Sequence, residues 1–351
     1  MGVLVAIEAR GQAFVDRLRR AWDRGDAVLP LDPRLPRPAA ISLAERLGVG
    51  EPVADGAALV VATSGTTGDP KGVVHTHESV ASSAEATSSF LGIDPDEHHW
   101  LACLPLAHVG GLSVVTRALH SGSALTVHEG FDAAAVDAAA DSGCTHVSLV
   151  ATALRRIDPS RWEQIVLGGS APPPDRPTNS VATYGMTETG SGVVYDGVPL
   201  PGVEVRVVDG ELHLRGAMIA AGYRDGTPVV DRDGWLATGD LGSFEGGTGQ
   251  GLGRRGDMII TGGENVHPDP VEQRLRAHPD IADAAVVGRA DPEWGQRVVA
   301  VLEPSSDTLP SLDEVRAWVK AELPAWCAPR EVEVRPLPRT ALGKIRRSML
   351  R

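Results

Sequence analysis

Only three of the 351 residues are cysteines, Cys103, Cys144 and Cys327, and they lie far apart. An odd number at such spacings builds neither a disulfide framework nor a zinc site, so a cytoplasmic, reducing location is expected. Positive charge is also short: 33 Lys and Arg against 46 Asp and Glu leave a net charge of -13. A nucleic-acid partner needs clustered cations to neutralise phosphates, and none is expected here. Small anions, held by a few local groups, are not excluded by this balance. No apolar run approaches the roughly 20 residues of a membrane helix, so no membrane insertion is expected. The opening stretch MGVLVAIEARGQAFVDRL is broken by Glu8 and Arg10. It has neither a basic leader nor a cleavage pattern, and no signal peptide is expected. What is present is ordinary globular composition, 42% hydrophobic and 23% charged, in a chain long enough for two domains.

Strand-like and helix-like apolar runs alternate through the first two thirds. Ala57 to Ala62, Trp100 to Leu106, Ala124 to Val127, His146 to Val150 and Ile165 to Leu167 read as strands, with helices over Glu78 to Phe90, Gly111 to His120 and Phe131 to Asp141. Such alternation predicts an α/β domain, whose ligands gather at loops leaving the carboxyl ends of strands. From Val203 the pattern changes to VEVRVVDGELHLRG, alternating around Asp209-Gly210 as a two-residue hairpin does. Gly242 to Asp257 is Gly-rich and carries almost nothing to bury. The domain boundary is therefore set near its end, with a small α+β domain behind it. In that small domain a hairpin, a helix over Asp269 to Ala277, strands over Ala284 to Val287 and Arg297 to Leu302, a helix over Leu312 to Leu323 and a strand over Glu331 to Val334 precede a basic tail.

The strongest local signal is Thr63-Ser64-Gly65-Thr66-Thr67-Gly68-Asp69-Pro70-Lys71-Gly72, directly after an apolar run. Glycines let backbone N–H groups converge on a phosphate, the hydroxyls add donors, and Lys71 adds charge. It is not a Walker A loop, because Pro70 and Gly72 flank the lysine where that motif needs Gly and Ser or Thr. A bland surface turn would have little use for four hydroxyls, three glycines and a lysine together.

TSGTTGDPKGV resembles the phosphate loop of the acyl-adenylate-forming superfamily, and further signatures follow in that family's order. These are Gly168-Gly169-Ser170-Ala171-Pro172-Pro173, Tyr184-Gly185-Met186-Thr187-Glu188-Thr189, Thr238-Gly239-Asp240, Gly253-Arg254 and Pro338-Arg339-Thr340-Ala341-Leu342-Gly343-Lys344. The resemblance implies ATP, Mg²⁺ and coenzyme A as the bound groups. It implies that Gly168, Gly169, Ser170 and Ala171 border adenine, and that the ring of Tyr184 stacks on it, beside Gly185 and Met186. Thr187 would donate to the α-phosphate and Glu188 would hold Mg²⁺. Asp240 would accept from the ribose hydroxyls, with Arg254 reaching the ribose or the phosphates. Lys344 would stabilise charge on the α-phosphate as a carboxylate attacks. Gly262 and Gly263, in the segment Gly262 to Val266, would line the coenzyme A channel. The resemblance makes residues 254–257 a hinge between a large domain over 1–253 and a small mobile domain over 258–351; the family's usual pivot, two places after the arginine, falls on Gly256, with Asp257 beside it.

Family members carry a long region before the phosphate loop, whereas here the loop begins at Thr63. That shortness resembles the actinobacterial-type o-succinylbenzoate–CoA ligases of menaquinone biosynthesis, as does the stretch Leu104-Pro105-Leu106-Ala107-His108-Val109-Gly110-Gly111-Leu112. The implied activity is ligation of 2-succinylbenzoate to coenzyme A. His108 is placed at the mouth of the acid pocket, although a lone histidine can equally be structural. Gly111 and Gly190 are placed on the pocket wall. Arg117 is the candidate partner for the carboxylate that is not activated, because an unpaired buried charge is costly; the competing reading is a surface arginine. The alternatives kept open are another aryl- or acyl-CoA synthetase, a stand-alone adenylation domain loading a carrier protein, and a nucleotide-binding regulator without catalysis. A homodimer is the assembly considered.

Overall fold

The computed structural model describes residues 2–64, 70–169, 172–173, 175–245, 248–305, 310–339 and 345–351, without the side chains of residues 64, 245, 248–252, 254 and 255. The chain divides into two units, one of Met1–Val205 with Leu214–Leu236, the other of Arg206–His213 with Ala237–Arg351. The hinge expected at 254–257 falls inside the second unit, at the end of strand Thr248–Arg254 and in the 3₁₀ turn Arg255–Asp257.

One sheet of the first unit has seven strands, in the spatial order Val198–Pro199, Gly192–Tyr195, Ser180–Gly185, Gln164–Leu167, His146–Leu149, His99–Ala102 and Ala124–Val127. The last five are parallel neighbours. The chain leaves His99–Ala102 for Ala124–Val127 on one side, then crosses back to His146–Leu149 on the other. Between His99–Ala102 and His146–Leu149 the winding therefore reverses, which opens a crevice at their carboxyl ends. The expected strand over Trp100 to Leu106 stops at Ala102. Cys103 to Ala107 run on without regular pairing, almost wholly buried, into the helix Val109–Ser121. Ahead of this sheet, helix His77–Leu91 starts on a reciprocal cap between Thr76 and Ser79 and stops at Gly92, which takes the left-handed conformation.

The other sheet orders Leu4–Glu8, Ala27–Leu31, Ala57–Ser64, Pro70–Thr76 and Gly222–Tyr223. Its first three strands are parallel, and helix Gly11–Asp23 crosses over from Leu4–Glu8 to Ala27–Leu31. The fourth strand returns antiparallel to the third, with Thr63 opposite Lys71. The strand before the phosphate motif is thus one arm of a hairpin. Among the described residues the next element is that returning strand and not a helix that could offer its N-terminal dipole, which agrees with the missing Walker A pattern.

Both sheets contribute to one core, in which Phe14, Leu18, Val28, Val61, Trp100 and Val115 are at most 1% exposed. Each side chain of this size contributes roughly 1.5–3 kcal/mol on burial. A second cluster, on Leu101, Val136, Leu149, Trp162 and Ile165, covers the opposite face of the seven-stranded sheet. Cys103 and Cys144 are buried and all three cysteines are free thiols. Among the described residues no helix is long and apolar enough to cross a membrane.

The second unit contains most of a sheet ordered Glu204–Val208, Glu211–Arg215, Leu236–Glu245 and Thr248–Arg254. Asp209 and Gly210, at φ 49° and 76°, make the expected two-residue turn. The Gly-rich run from Gly242, expected to carry almost nothing to bury, ends one strand and forms most of the next in a second hairpin: Gly242 faces Gly251 and Phe244 faces Gly249. Further on, the long hairpin Ile281–Asp291 and Gly295–Pro304 is joined by Ile259–Thr261, Glu264–Val266 and Glu331–Val334. Helices Pro268–Arg276 and Leu312–Lys320 cover one face through Val271, Leu275, Val315 and Val319.

Candidate active site

Parallel strands bring several of the predicted residues together. Strand Gln164–Leu167 delivers Gly168 and Gly169, and its neighbour Ser180–Gly185 delivers Tyr184, Gly185, Met186 and the 3₁₀ turn Thr187–Thr189. A Cβ on Gly185 would stand 2.1 Å from the carbonyl oxygen of Ser191, so only glycine allows the chain to fold back here. The fold-back is fastened by Thr189, wholly buried, whose hydroxyl accepts from the Met186 N–H at 2.9 Å and lies 2.7 Å from the Ser191 carbonyl. Ser170 and Ala171 lie outside the described residues.

The Thr187–Glu188 turn is gripped from both sides. Nε2 of His75, on strand Pro70–Thr76, donates to the Thr187 carbonyl at 2.7 Å, while Nδ1 sits 3.3 Å from the Ser79 hydroxyl. Burial pushes the His75 imidazole down to about 4, so it is a neutral donor at physiological pH. On the other side the Tyr223 hydroxyl donates to Oε1 of Glu188 at 2.9 Å. Burial, and then the negative charge of Glu188, push that phenol above its ordinary range. The ammonium of Lys71 lies 5.0 Å from the centre of the same ring. Thr63 faces Lys71 across the hairpin, whereas Gly65, Thr66, Thr67 and Gly68 lie outside the described residues, as does the side chain of Ser64.

Against His75 lies a small, mostly apolar cavity, walled by Leu59, Val61, Val80, Leu112, Thr116 and Gly190 among others. A Cβ on Gly190 would be 3.2 Å from the His75 ring. On helix Val109–Ser121, which supplies Leu112 and Thr116 to this cavity, Arg117 is 2% exposed. Its guanidinium carbon lies 4.6 Å from the centre of the Trp100 ring, with Nη2 3.3 Å from the Ser191 hydroxyl. Its Nε and Nη1 are buried with no hydrogen-bond partner among the described residues, and the same holds for Nε1 of Trp100 and the hydroxyl of Ser148. His146, opposite Trp100 in the sheet, is pushed down to about 4 by burial and by the charges of His98 and Arg117. Arg117 is therefore a buried cation facing neutral groups. The surface-arginine reading of Arg117 fails.

His108 forms the N-cap of helix Val109–Ser121, with Nε2 3.7 Å from a carboxylate oxygen of Asp32. Burial lowers its basicity and the Asp32 charge partly restores it. Asp32 itself is held by Arg34. Gly111 packs against the preceding loop, where a Cβ would meet the Leu104 carbonyl oxygen at 2.5 Å.

In the second unit Asp240 lies directly across the strand pair from Arg254; the Arg254 side chain is among those not described. Gly262 and Gly263, at φ 60° and 87°, make the turn between Ile259–Thr261 and Glu264–Val266. Lys344 lies outside the described residues. Three residues later Arg347 is bound by Glu272, Asp269 and Asp257, which anchors the tail to helix Pro268–Arg276 and to the 3₁₀ turn.

His75, Tyr223 and Trp100 were not singled out from sequence. Only the alternation in KGVVHT hinted at an inward-facing His75. Nothing local marks Tyr223, whose partner Glu188 is 35 residues away.

Residues 13–224 match the family described as AMP-binding enzyme, and residues 270–344 match the AMP-binding enzyme C-terminal domain. A Mycobacterium tuberculosis protein named "Probable 2-succinylbenzoate--CoA ligase" is 40% identical over 340 residues, covering 88% of each chain. The Escherichia coli 2-succinylbenzoate–CoA ligase is 36% identical over 283 residues, 74% of this chain and 61% of its own. The solved structure of o-succinylbenzoate CoA synthetase from Bacillus subtilis, with its acyl-adenylate intermediate, superposes with a TM-score of 0.89 at 27% identity, over 100% of this chain and 88% of that one. On the order of its motifs, the doubly wound sheet that carries them and these matches, the chain belongs to the family of AMP-binding enzymes.

Proposed function

We propose that this chain is an AMP-forming acid–thiol ligase that converts 2-succinylbenzoate to its coenzyme A thioester, the activation of that acid in menaquinone biosynthesis. The observation that carries the choice of acid is Arg117. A buried guanidinium with two unpartnered donor positions is poorly accommodated by a neutral pocket. A substrate with a second carboxylate supplies the missing charge and acceptors, and a monocarboxylate leaves them wanting.

In the first half-reaction a carboxylate oxygen of the acid bonds to the α-phosphorus, the bond from that phosphorus to the bridging oxygen breaks, and pyrophosphate departs. In the second, the coenzyme A thiol gives up its proton, its sulfur bonds to the acyl carbon, and AMP leaves with the oxygen it gained. Thr63 to Gly68 and Lys71 hold the outer phosphates. Gly168 to Ala171 and the Tyr184 ring hold adenine, Asp240 and Arg254 the ribose, and Thr187 the α-phosphate. Lys344 meets the charge that builds there. His108 and Gly190 border the acid, and Gly262 and Gly263 border coenzyme A, with residues 254–257 as the hinge between the two half-reactions.

The donor set suits Mg²⁺. Glu188 offers one carboxylate, and among the described residues no three His, Cys, Asp or Glu side chains cluster as a complete metal cage would require. Mg²⁺ is held by one or two carboxylates with phosphate and water completing its shell. When bound it would neutralise charge on the departing pyrophosphate. We place the reaction in the cytoplasm, where ATP and coenzyme A are at hand.

The test is pyrophosphate and AMP release over a panel of acids with coenzyme A present. Turnover of 2-succinylbenzoate well above benzoate and fatty acids is the expected result. Equal or better turnover of a monocarboxylate would refute the assignment of the acid, and activity only with a phosphopantetheinylated carrier protein would refute coenzyme A as the acceptor.

A further inference from the structure

We infer that Tyr223 is a positioning residue for the first half-reaction, holding Glu188 and Lys71 apart and aimed, each by a different part of one side chain. The inference rests on the adenylation reading above. It starts from the backbone. Tyr223 sits opposite Val73 on the strand that follows the phosphate motif. Its N–H donates to Thr227 and the next N–H, of Arg224, donates to Gly72 at 2.7 Å, so the ring has a fixed base. From there the hydroxyl reaches Oε1 of Glu188 at 2.9 Å, and the ring carries the Lys71 ammonium 5.0 Å from its centre.

Lys71 is exposed and Glu188 half-buried, and an ammonium and a carboxylate that reach one another in such a setting still pair, although water screens their attraction. Paired, Lys71 would be drawn off the phosphates and Glu188 off the metal. Tyr223 contacts both charged groups. Its O–H is a charge-assisted donor that occupies one carboxylate oxygen and leaves the other, Oε2, for a cation. Its ring face offers the ammonium an attraction weaker than a carboxylate would, one that a phosphate readily outcompetes. The hydroxyl and the ring are thus separable devices. Tyr223→Phe removes only the first, and Tyr223→Leu removes both.

The test uses the full chain. Mn²⁺ stands in for Mg²⁺, and its binding in the presence of a non-hydrolysable ATP analogue is followed by electron paramagnetic resonance. Analogue binding without metal, thioester formation from supplied acyl-adenylate, and the melting temperature are measured alongside. For Tyr223→Phe the expected result is Mn²⁺ binding weakened about tenfold or more, with metal-free analogue binding and the thioester step within about twofold of the parent. For Tyr223→Leu, metal-free analogue binding should weaken as well, by about threefold or more. Parent-like Mn²⁺ affinity in Tyr223→Phe overturns the inference. So does a parallel loss of melting temperature and of both half-reactions, which would mark Tyr223 as a packing residue. Failure of the parent protein itself to bind Mn²⁺ with the analogue would instead count against the adenylation reading.

Discussion

Replacing Arg117 should move stability and activity in opposite directions. Arg117 is 2% exposed, its guanidinium over the Trp100 ring, with Nε and Nη1 unpartnered among the described residues. Burial lowers its basicity, as expected for a charge held where it is poorly solvated. Arg117→Met keeps most of the volume and removes the charge, and substitutions of that kind at buried ionic sites are often neutral or stabilising. The melting temperature should therefore hold or rise. With 2-succinylbenzoate bound the sign reverses, because the second carboxylate now enters the pocket without a partner. Leaving one member of a buried pair alone costs about 3–5 kcal/mol. At 1.36 kcal/mol per factor of ten, that is a fall of roughly 160- to 5,000-fold in kcat/KM. Benzoate, which has no second carboxylate, should lose less than about threefold, a change worth under about 1 kcal/mol. Pyrophosphate release on both acids, with a thermal melt of each protein, checks all three quantities. A lower melting temperature with equal losses on both acids would show that Arg117 is structural and refute the reasoning.

Lys344→Ala should slow adenylate formation by about 10²–10³-fold yet still convert supplied acyl-adenylate to thioester; an equal loss in both steps would contradict the role of Lys344. The His75 imidazole has a folded value of about 4 against an ordinary 6.5. The unfolded chain therefore takes up the proton first as pH falls. Its contribution is full above pH 6.5 and is lost on descending towards pH 4, in total about 3 kcal/mol. Melting temperature against pH should be flatter over that window for His75→Leu than for the parent, and identical slopes would contradict the buried neutral assignment. The Cys103 thiol is 1% exposed and pushed up to about 12 by burial. Iodoacetamide at pH 8 should spare it in the folded protein and modify it after unfolding, as peptide mapping would show.

Much of the fold was legible because it is written locally. The strand Ala124–Val127 is bounded as its apolar run predicts, and Asp209-Gly210 announces its own turn. Helix His77–Leu91 is signalled by its cap as well as by its apolar face. Two segments misled. The phosphate motif drew the eye to a loop, although KGVVHT continues as a strand; Pro70 is tolerated because it stands at that strand's first position. The Gly-rich run after Gly242 lacked the bulky side chains that mark strands, yet its hairpin is held by backbone pairing, which glycine supplies as well as any residue. The N-terminal crossover through Leu4–Glu8, Gly11–Asp23 and Ala27–Leu31 carries no motif, and its first apolar run is too short and too interrupted to mark a strand by itself.

The candidate site divides in the same way. Tyr184, Thr187, Glu188 and Asp240 sit in contiguous motifs, so each can be named as a candidate from sequence alone. His75 acts through a carbonyl 112 residues away, and Tyr223 through a carboxylate on another strand's outlet. Neither contact exists until the sheets assemble, so no window of sequence contains it. Arg117 fell between the two cases: its position on the helix after His108 was legible, but its burial beside Trp100 and His146 was not.

The most direct measurement follows oxygen. The acid is labelled with oxygen-18 in both carboxylates and turned over with ATP and coenzyme A, and the products are weighed by mass spectrometry. Attack of a carboxylate on the α-phosphorus predicts one labelled oxygen in AMP, none in pyrophosphate, and a thioester that has lost one label. Label in pyrophosphate or inorganic phosphate, or thioester formed with no label reaching AMP, would contradict it.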